Sequence, residues 1–272
     1  MAAGDGRVSP LPSFAQRGTR NRTGSETAVK VEIYSDIACP WCYVGKTRFE
    51  RALTAFPQAA DVEVIYRPFQ LDPSAPRQPR VHRQVLAAKF GPQALAMDDR
   101  LTQLGAAEGI TFDFDTVLEN NSLLAHRLLR FALDEYGPEV QRRLKGRIMT
   151  GHFAEGLDIG DPAQLADAAA AVGLDRAAVT AFLAGDALRD ETLADIDEAH
   201  QLGITAVPTF VFEGKWSVQG GQETSTFLQV LEQIAKETAA ESQDPAVAAA
   251  DACADGACEV PAADGRPSAA AN

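Results

Sequence analysis

The chain has 272 residues, 46% of them hydrophobic, and its 38 acidic against 25 basic side chains leave a formal net charge of −13. That apolar content suffices for a substantial core, in one elaborated domain or two, while the acidic balance and lack of any long basic run speak against nucleic acid or an anionic membrane surface as partner. The four cysteines fall in two close pairs far apart, Cys39 with Cys42 and Cys253 with Cys258, unlike the scatter of a small secreted disulfide scaffold.

Residues 1–27 hold Arg7, Arg17, Arg20 and Arg22 among Gly, Ser, Pro and Thr, without the apolar run of a signal peptide or a twin arginine. They read as a disordered leader, or an over-extended start, on a cytoplasmic protein. No later stretch has the length and apolarity to span a bilayer. Structure is expected from about Ala28. Val31, Ile33 and Ile37 make residues 31–36 a short buried strand. Cys39-Pro40-Trp41-Cys42 follows, and then helical spacing through Tyr43, Lys46, Phe49, Leu53 and Phe56.

Strand, cysteine pair, helix is an order that sets a thiol at the first turn of a helix, where unpaired N–H groups and the helix dipole favour thiolate. Pro40 suits that turn because it lacks an N–H that would be unpaired there. Cys39 is expected exposed at the helix tip, with Cys42 one turn on and pointing inward. A C-x-x-C pair is also half of a zinc site, but no second Cys or His pair stands close, and His82 is alone. Two buried structural cysteines are a third reading, which the strand–proline–helix setting disfavours. Asp36 is either a proton acceptor for Cys42 or a cap for the helix.

Residues 61–66 alternate as a second strand, and a proline-punctuated loop fills 67–80. Helical spacing then recurs over 81–90, 94–108, 122–136, 139–154, 175–183 and 190–202, with Asp161-Pro162 opening a further helix as cap and first residue. His126, His152 and His200 fall within these helices and read as packed or solvated. Tyr34, Phe69, Phe112 and Trp216 read as core or groove wall. Residues 208–212 form a compact β run, Glu213-Gly214 a turn, 215–218 a returning strand, and 224–236 a closing amphipathic helix. The fold class is therefore α/β: a thioredoxin fold from 28–80 and 203–238, interrupted by an all-helical domain over 81–202, with the cysteines at the C-terminal end of the first strand. Residues 239–272, rich in Ala, Asp, Gly, Ser and Pro, read as a flexible tail, yet it carries Cys253 and Cys258 in a C-x4-C pair in which Gly256 helps a turn.

Cys39-Pro40-Trp41-Cys42, together with Gly203-Ile-Thr-Ala-Val-Pro208-Thr-Phe, resembles the DsbA family of thiol-disulfide oxidoreductases, and within it the FrnE-like branch of cytoplasmic CPWC proteins, over residues 31–236. The resemblance implies Cys39 as nucleophile, Cys42 as resolving thiol and Pro208 as a cis-proline beside them, with Pro40, Trp41 and Val207 lining the site. Read without the family, Pro208 serves equally well as the start of an edge strand. It implies no cofactor beyond the redox-active disulfide, with glutathione as co-substrate. The implied partners are proteins or peptides carrying disulfides or thiols, and thioredoxin or a small thiol as reductant. Some FrnE-like proteins also carry a tail C-x4-C, which makes Cys253 and Cys258 a relay dithiol; an independent tail disulfide or a weak metal site is the alternative. About seventeen residues from Lys236 to Cys253 would reach on the order of 23 Å. Exported DsbA proteins place a histidine where this chain has Trp41, so Cys39 is expected to have its pKa lowered, but less than in DsbA, and to form a less oxidising couple. The rivals are a glutathione-dependent isomerase or transferase, resembling the kappa class or 2-hydroxychromene-2-carboxylate isomerase, and a zinc adaptor using all four cysteines.

Overall fold

The computed structural model describes residues 29–242 and the two-residue strand β1 (Ser9–Pro10). Strand β2 (Val29–Ser35) leads into helix α1 (Pro40–Ala55) and strand β3 (Val62–Pro68). Strand β4 (Arg80–Val81), helices α2 (His82–Phe90) and α3 (Leu95–Ala107), and strand β5 (Leu118–Glu119) come next. Helices α4 (Leu123–Tyr136), α5 (Pro138–Ala154), α6 (Pro162–Ala170), α7 (Arg176–Ala184) and α8 (Arg189–Gln201) follow. The chain then returns through β6 (Thr209–Phe212), β7 (Trp216–Gln219) and α9 (Thr224–Ser242).

The five-stranded sheet has the order β1-β7-β6-β2-β3. β2 and β3 run parallel, from Val29 opposite Val62 to Ser35 opposite Pro68, and need the α1 crossover to do so. β6 lies antiparallel on the other flank of β2, with Val31 opposite Phe212 and Ile33 opposite Phe210. The hairpin to β7 turns through residues 213–215, with Phe212 opposite Trp216, Glu213 and Gly214 both at positive φ (52° and 65°), and Lys215 N–H donating to the Phe212 carbonyl (2.9 Å).

Alternation sorts the two faces of the sheet. Val31, Ile33, Phe210 and Phe212 pack under α1 and α9 against Phe49 and Phe227, with the Phe49 ring 5.2 Å from Phe210 and 5.5 Å from Phe227. Tyr34 and Val211 face the other way, onto Phe69, Ala199 and Ile204. β3 is the sheet's edge, and α5 closes it: Tyr66 N–H donates to Gln141 Oε1 (2.8 Å) while Gln141 Nε2 donates back to the Tyr66 carbonyl (2.9 Å). One amide side chain thus satisfies edge groups that would otherwise be buried unpaired. Asp161 and Asp175 cap α6 and α7 by accepting from Ala163 N–H (2.7 Å) and Ala178 N–H (2.9 Å).

Three particulars differ from the sequence reading. The segment between β3 and β6 is not wholly helical, because β4 and β5 form a two-residue antiparallel ladder. Ser9 and Pro10, inside the expected leader, pair with Ser217 and Trp216 at the β7 edge. Helix α9 continues past residue 236 to Ser242. The remaining leader residues and the tail with Cys253 and Cys258 lie outside the described residues. Among the described residues no helix is long and apolar enough to cross a membrane.

Candidate active site

Cys39 is the N-cap residue of α1, extended at φ −97° and ψ 111°, with Pro40 at the first helical position. Its carbonyl accepts from Cys42 N–H (3.0 Å) and Tyr43 N–H (3.3 Å), closing the first turn so that Cys42 stands one turn below Cys39. A second segment, far off in sequence, reaches the same point: Cys39 Sγ lies 3.9 Å from the Val207 carbonyl oxygen, and the Val207–Pro208 peptide is cis. Gly45 allows this approach. A Cβ there would meet Pro208 Cγ at 2.9 Å and Gly221 Cα at 3.3 Å, so only glycine lets α1 pack this closely on the Pro208 loop.

Cys42 is 1% exposed, as its inward direction implied, and Cys39 only 5%. Cys39 is therefore not open at the helix tip. Leu101, Ile110, Phe112, Phe114 and Val117, from α3 and the stretch behind it, share one apolar cluster with both cysteines, and a sequence reading of α1 alone leaves them out. Trp41, 38% exposed, is the outward member of the motif. The expected lowering of the Cys39 pKa is also overturned. The Cys42 thiol hydrogen-bonded to it, then burial, push the Cys39 thiol well above its ordinary range, and the Asp36 charge adds to this. In the closed dithiol, loss of water and a shared proton outweigh the helix terminus.

Beneath the pair lies a polar layer. Asp36 is 2% exposed and accepts from Leu71 N–H (2.8 Å), His126 Nε2 (3.2 Å) and, more weakly, Ala38 N–H (3.4 Å). Burial alone would raise its pKa, but the His126 bond and these other donors outweigh it and keep Asp36 ionised. Burial holds the His126 pKa below its usual value despite Asp36. The arrangement that suits both is a neutral imidazole donating its Nε2–H to the carboxylate. Lys145, from α5, is fully buried, with Nζ 3.5 Å from the Ser35 carbonyl and 5.7 Å from the centre of the Tyr66 ring. Burial lowers its pKa to about 8, against the pull of Cys42, Asp36 and Cys39.

The comparisons with known proteins agree with this geometry. Residues 30–232 match the model of the DSBA-like thioredoxin domain. The chain belongs to the DsbA-like thioredoxin family. It is 31% identical to the protein YwbO of Bacillus subtilis over 186 residues, covering 67% of this chain and 86% of that one. A solved probable DsbA oxidoreductase from Streptomyces coelicolor is 40% identical, with a TM-score of 0.70 over 76% of this chain and 89% of that one. The cytosolic disulfide reductase DsbM of Pseudomonas aeruginosa, solved with GSH, is similar in fold at 19% identity and a TM-score of 0.50, over 79% of this chain and 100% of that one.

This DsbA-like protein is a thiol-disulfide oxidoreductase. The structure brings Cys39, Cys42, Pro40, Trp41, Val207 and Pro208 to one place, as the motifs implied. Among the described residues no group of three or more Cys, His, Asp or Glu side chains gathers as a metal site. Asp36 takes up neither expected duty: Cys39 is the N-cap of α1 without a side-chain cap bond, and the Asp36 carboxylate is held by Leu71 N–H and His126. His126, read as packed or solvated, is buried in α4 and is also the direct partner of Asp36; Lys145 carried no expectation. One signal was available for Lys145: Gln141, Leu144, Lys145, Ile148, Met149 and His152 recur at helical spacing, so Lys145 lies on the buried stripe of α5.

Proposed function

We propose that this chain is a cytoplasmic protein disulfide reductase or isomerase of the FrnE-like branch, working through Cys39 and Cys42. The observation that carries this is the meeting of the dithiol with the Val207 carbonyl, 3.9 Å from Cys39 Sγ, at the mouth of α1. An extended substrate peptide laid along Val207 and Pro208 would find main-chain hydrogen-bonding groups beside the nucleophile, with Pro40 and Trp41 as the facing wall. Cys39 thiolate attacks a substrate disulfide and one substrate sulfur leaves as thiolate. Cys42 then attacks Cys39 Sγ, the second substrate sulfur leaves, and Cys39–Cys42 is oxidised. Glutathione or thioredoxin restores the dithiol.

Cys253 and Cys258 are proposed as a relay on the same chain. Because α9 reaches Ser242, about ten residues separate that helix from Cys253. A glutathione-dependent isomerase on the same fold would leave Cys42 without a task, so the retained pair favours disulfide exchange. Insulin reduction by the full chain tests the reading: it should vanish in Cys39→Ser, and activity that survives there would overturn it.

A further inference from the structure

One buried side chain ties together the three parts of the chain that meet at the thiols. Arg48 belongs to α1, the helix that carries both cysteines, and is only 7% exposed. Its Nε donates to Glu108 Oε1 (2.7 Å) and its Nη1 donates to the Gly221 carbonyl (2.9 Å). The same Nη1 stands 2.9 Å from Oε1 of Glu223, a side chain that is mostly exposed. Bonds from a guanidinium are charge-assisted and its donors are fixed in one plane, so these contacts set direction as well as distance.

The Gly221 branch leads to the Pro208 loop. Gly221 lies against the start of α1, where an added Cβ would meet Gly45 N at 3.3 Å and the Trp41 carbonyl oxygen at 3.4 Å. Its neighbour Gly220, at φ +84°, donates its N–H to the Pro208 carbonyl (2.8 Å). From Arg48 the connection thus runs through Gly221, Gly220 and Pro208 to the Val207 carbonyl, 3.9 Å from Cys39 Sγ. The Glu108 branch leads to the cover. Glu108 is the C-cap residue of α3, and just after it Ile110 N–H donates back to the Gly105 carbonyl (2.7 Å). Ile110, Phe112, Phe114 and Val117 then join the apolar cluster that holds both cysteines. Burial would raise the Glu108 pKa, but the bonds and charges of Arg48 and Arg51 outweigh it and keep the carboxylate ionised.

We propose that Arg48 is a positioning residue for disulfide exchange with peptides: by holding Gly221 it sets the Val207 carbonyl beside Cys39, and by holding Glu108 it keeps the 110–117 stretch over the thiols. This rests on the disulfide-exchange reading and deepens it. Arg48 acts through these partners and not on a reacting atom. Its loss leaves the dithiol on α1, releases the Gly220-Gly221 loop and loosens the cover. Glu108 keeps Arg51 as an ion-pair partner, so no buried carboxylate is stranded. A peptide laid along Val207 and Pro208 depends on the loop. A small disulfide does not, and it gains from a looser cover.

The reduced full chain, in a Cys253→Ser/Cys258→Ser background, is reacted with a disulfide-bonded peptide and, separately, with a small aromatic disulfide, and the two second-order rate constants are compared. In Arg48→Met the peptide constant should fall about fivefold or more, as expected when a positioning group shifts by a few tenths of an ångström, while the small-disulfide constant holds or rises. A merely structural role would lower both constants alike. That outcome, or any smaller fall in the ratio of peptide to small-disulfide constants, overturns the assignment of Arg48 while the disulfide-exchange reading stands. A parent in which Cys39 reacts with neither disulfide sinks both. Should Arg48→Met fold poorly, Arg48→Gln, too short to span Glu108 and Gly221, is judged on the same ratio by the same margin.

Discussion

Gly45→Ala adds one methyl group to α1 where the helix meets the Pro208 loop. An ideal Cβ at that position stands 2.9 Å from Pro208 Cγ and 3.3 Å from Gly221 Cα, so either the ring or the helix must retreat by several tenths of an ångström. For stability, two effects oppose each other. Replacing a mid-helix glycine gains about 1 kcal/mol of propensity, whereas forcing a methylene into a packed contact costs about 1–3 kcal/mol. The net loss is at most about 2 kcal/mol, or a Tm lowered by roughly 4–8 °C in a chain of this size. Catalysis should suffer more than stability. The Val207 carbonyl, 3.9 Å from Cys39 Sγ, moves with the Pro208 ring, and since a misplacement near 1 Å costs on the order of a hundredfold, half of that should cost about tenfold. Insulin reduction rates and thermal melts on the same preparation separate the two effects. A rate within twofold of the parent, beside the expected shift in Tm, would show that the fit between α1 and the Pro208 loop does not position the chemistry.

Gln141→Leu leaves both Tyr66 backbone groups unpaired at the buried edge of β3; the loss should be about 2–4 kcal/mol, read by urea unfolding, and a loss below about 1 kcal/mol would mean that the edge finds other partners. Lys145→Met should stabilise the fold at neutral pH by up to about 3 kcal/mol, because burial has already lowered the amine's pKa to about 8 and removing an unpaired buried charge is commonly favourable. A lower Tm for that variant would contradict the description of Lys145 as a strained charge. His152, fully buried, has its pKa held down at about 4 by burial, whereas an unfolded histidine titrates near 6.5. Between those values only the unfolded chain takes the proton, so this contribution to stability is intact above about pH 6.5. It falls by up to about 3 kcal/mol as the pH drops to about 4. His152→Leu should flatten that part of the profile, and identical slopes in the two proteins would refute the assignment.

How far the sequence led depended on whether a feature was local. The β2–α1 junction was readable because strand, proline and helix signals adjoin one another, and the same holds for the Glu213-Gly214 hairpin and the capped start of α6. The closeness of Val207 to Cys39 followed from family resemblance alone, since nothing in the spacing of residues 168 apart reports a contact. Burial of Cys39 was not readable for the same reason. It depends on where Leu101, Phe112 and Phe114 come to rest, which tertiary packing decides. The helical stripe of α5 marked Lys145 as inward-facing, but periodicity does not say which neighbours an inward side chain meets. A glycine inside a helix costs propensity, and only the loop opposite explains the one at position 45.

Burial also sharpens the central test, because a thiol only 5% exposed must still be reachable. Cys42→Ser should be incubated with a disulfide-bonded peptide and the adduct mapped by mass spectrometry. A peptide held on Cys39 through a mixed disulfide is the predicted result. A Cys39 that stays unmodified while the peptide disulfide remains intact would contradict disulfide exchange at the mouth of α1.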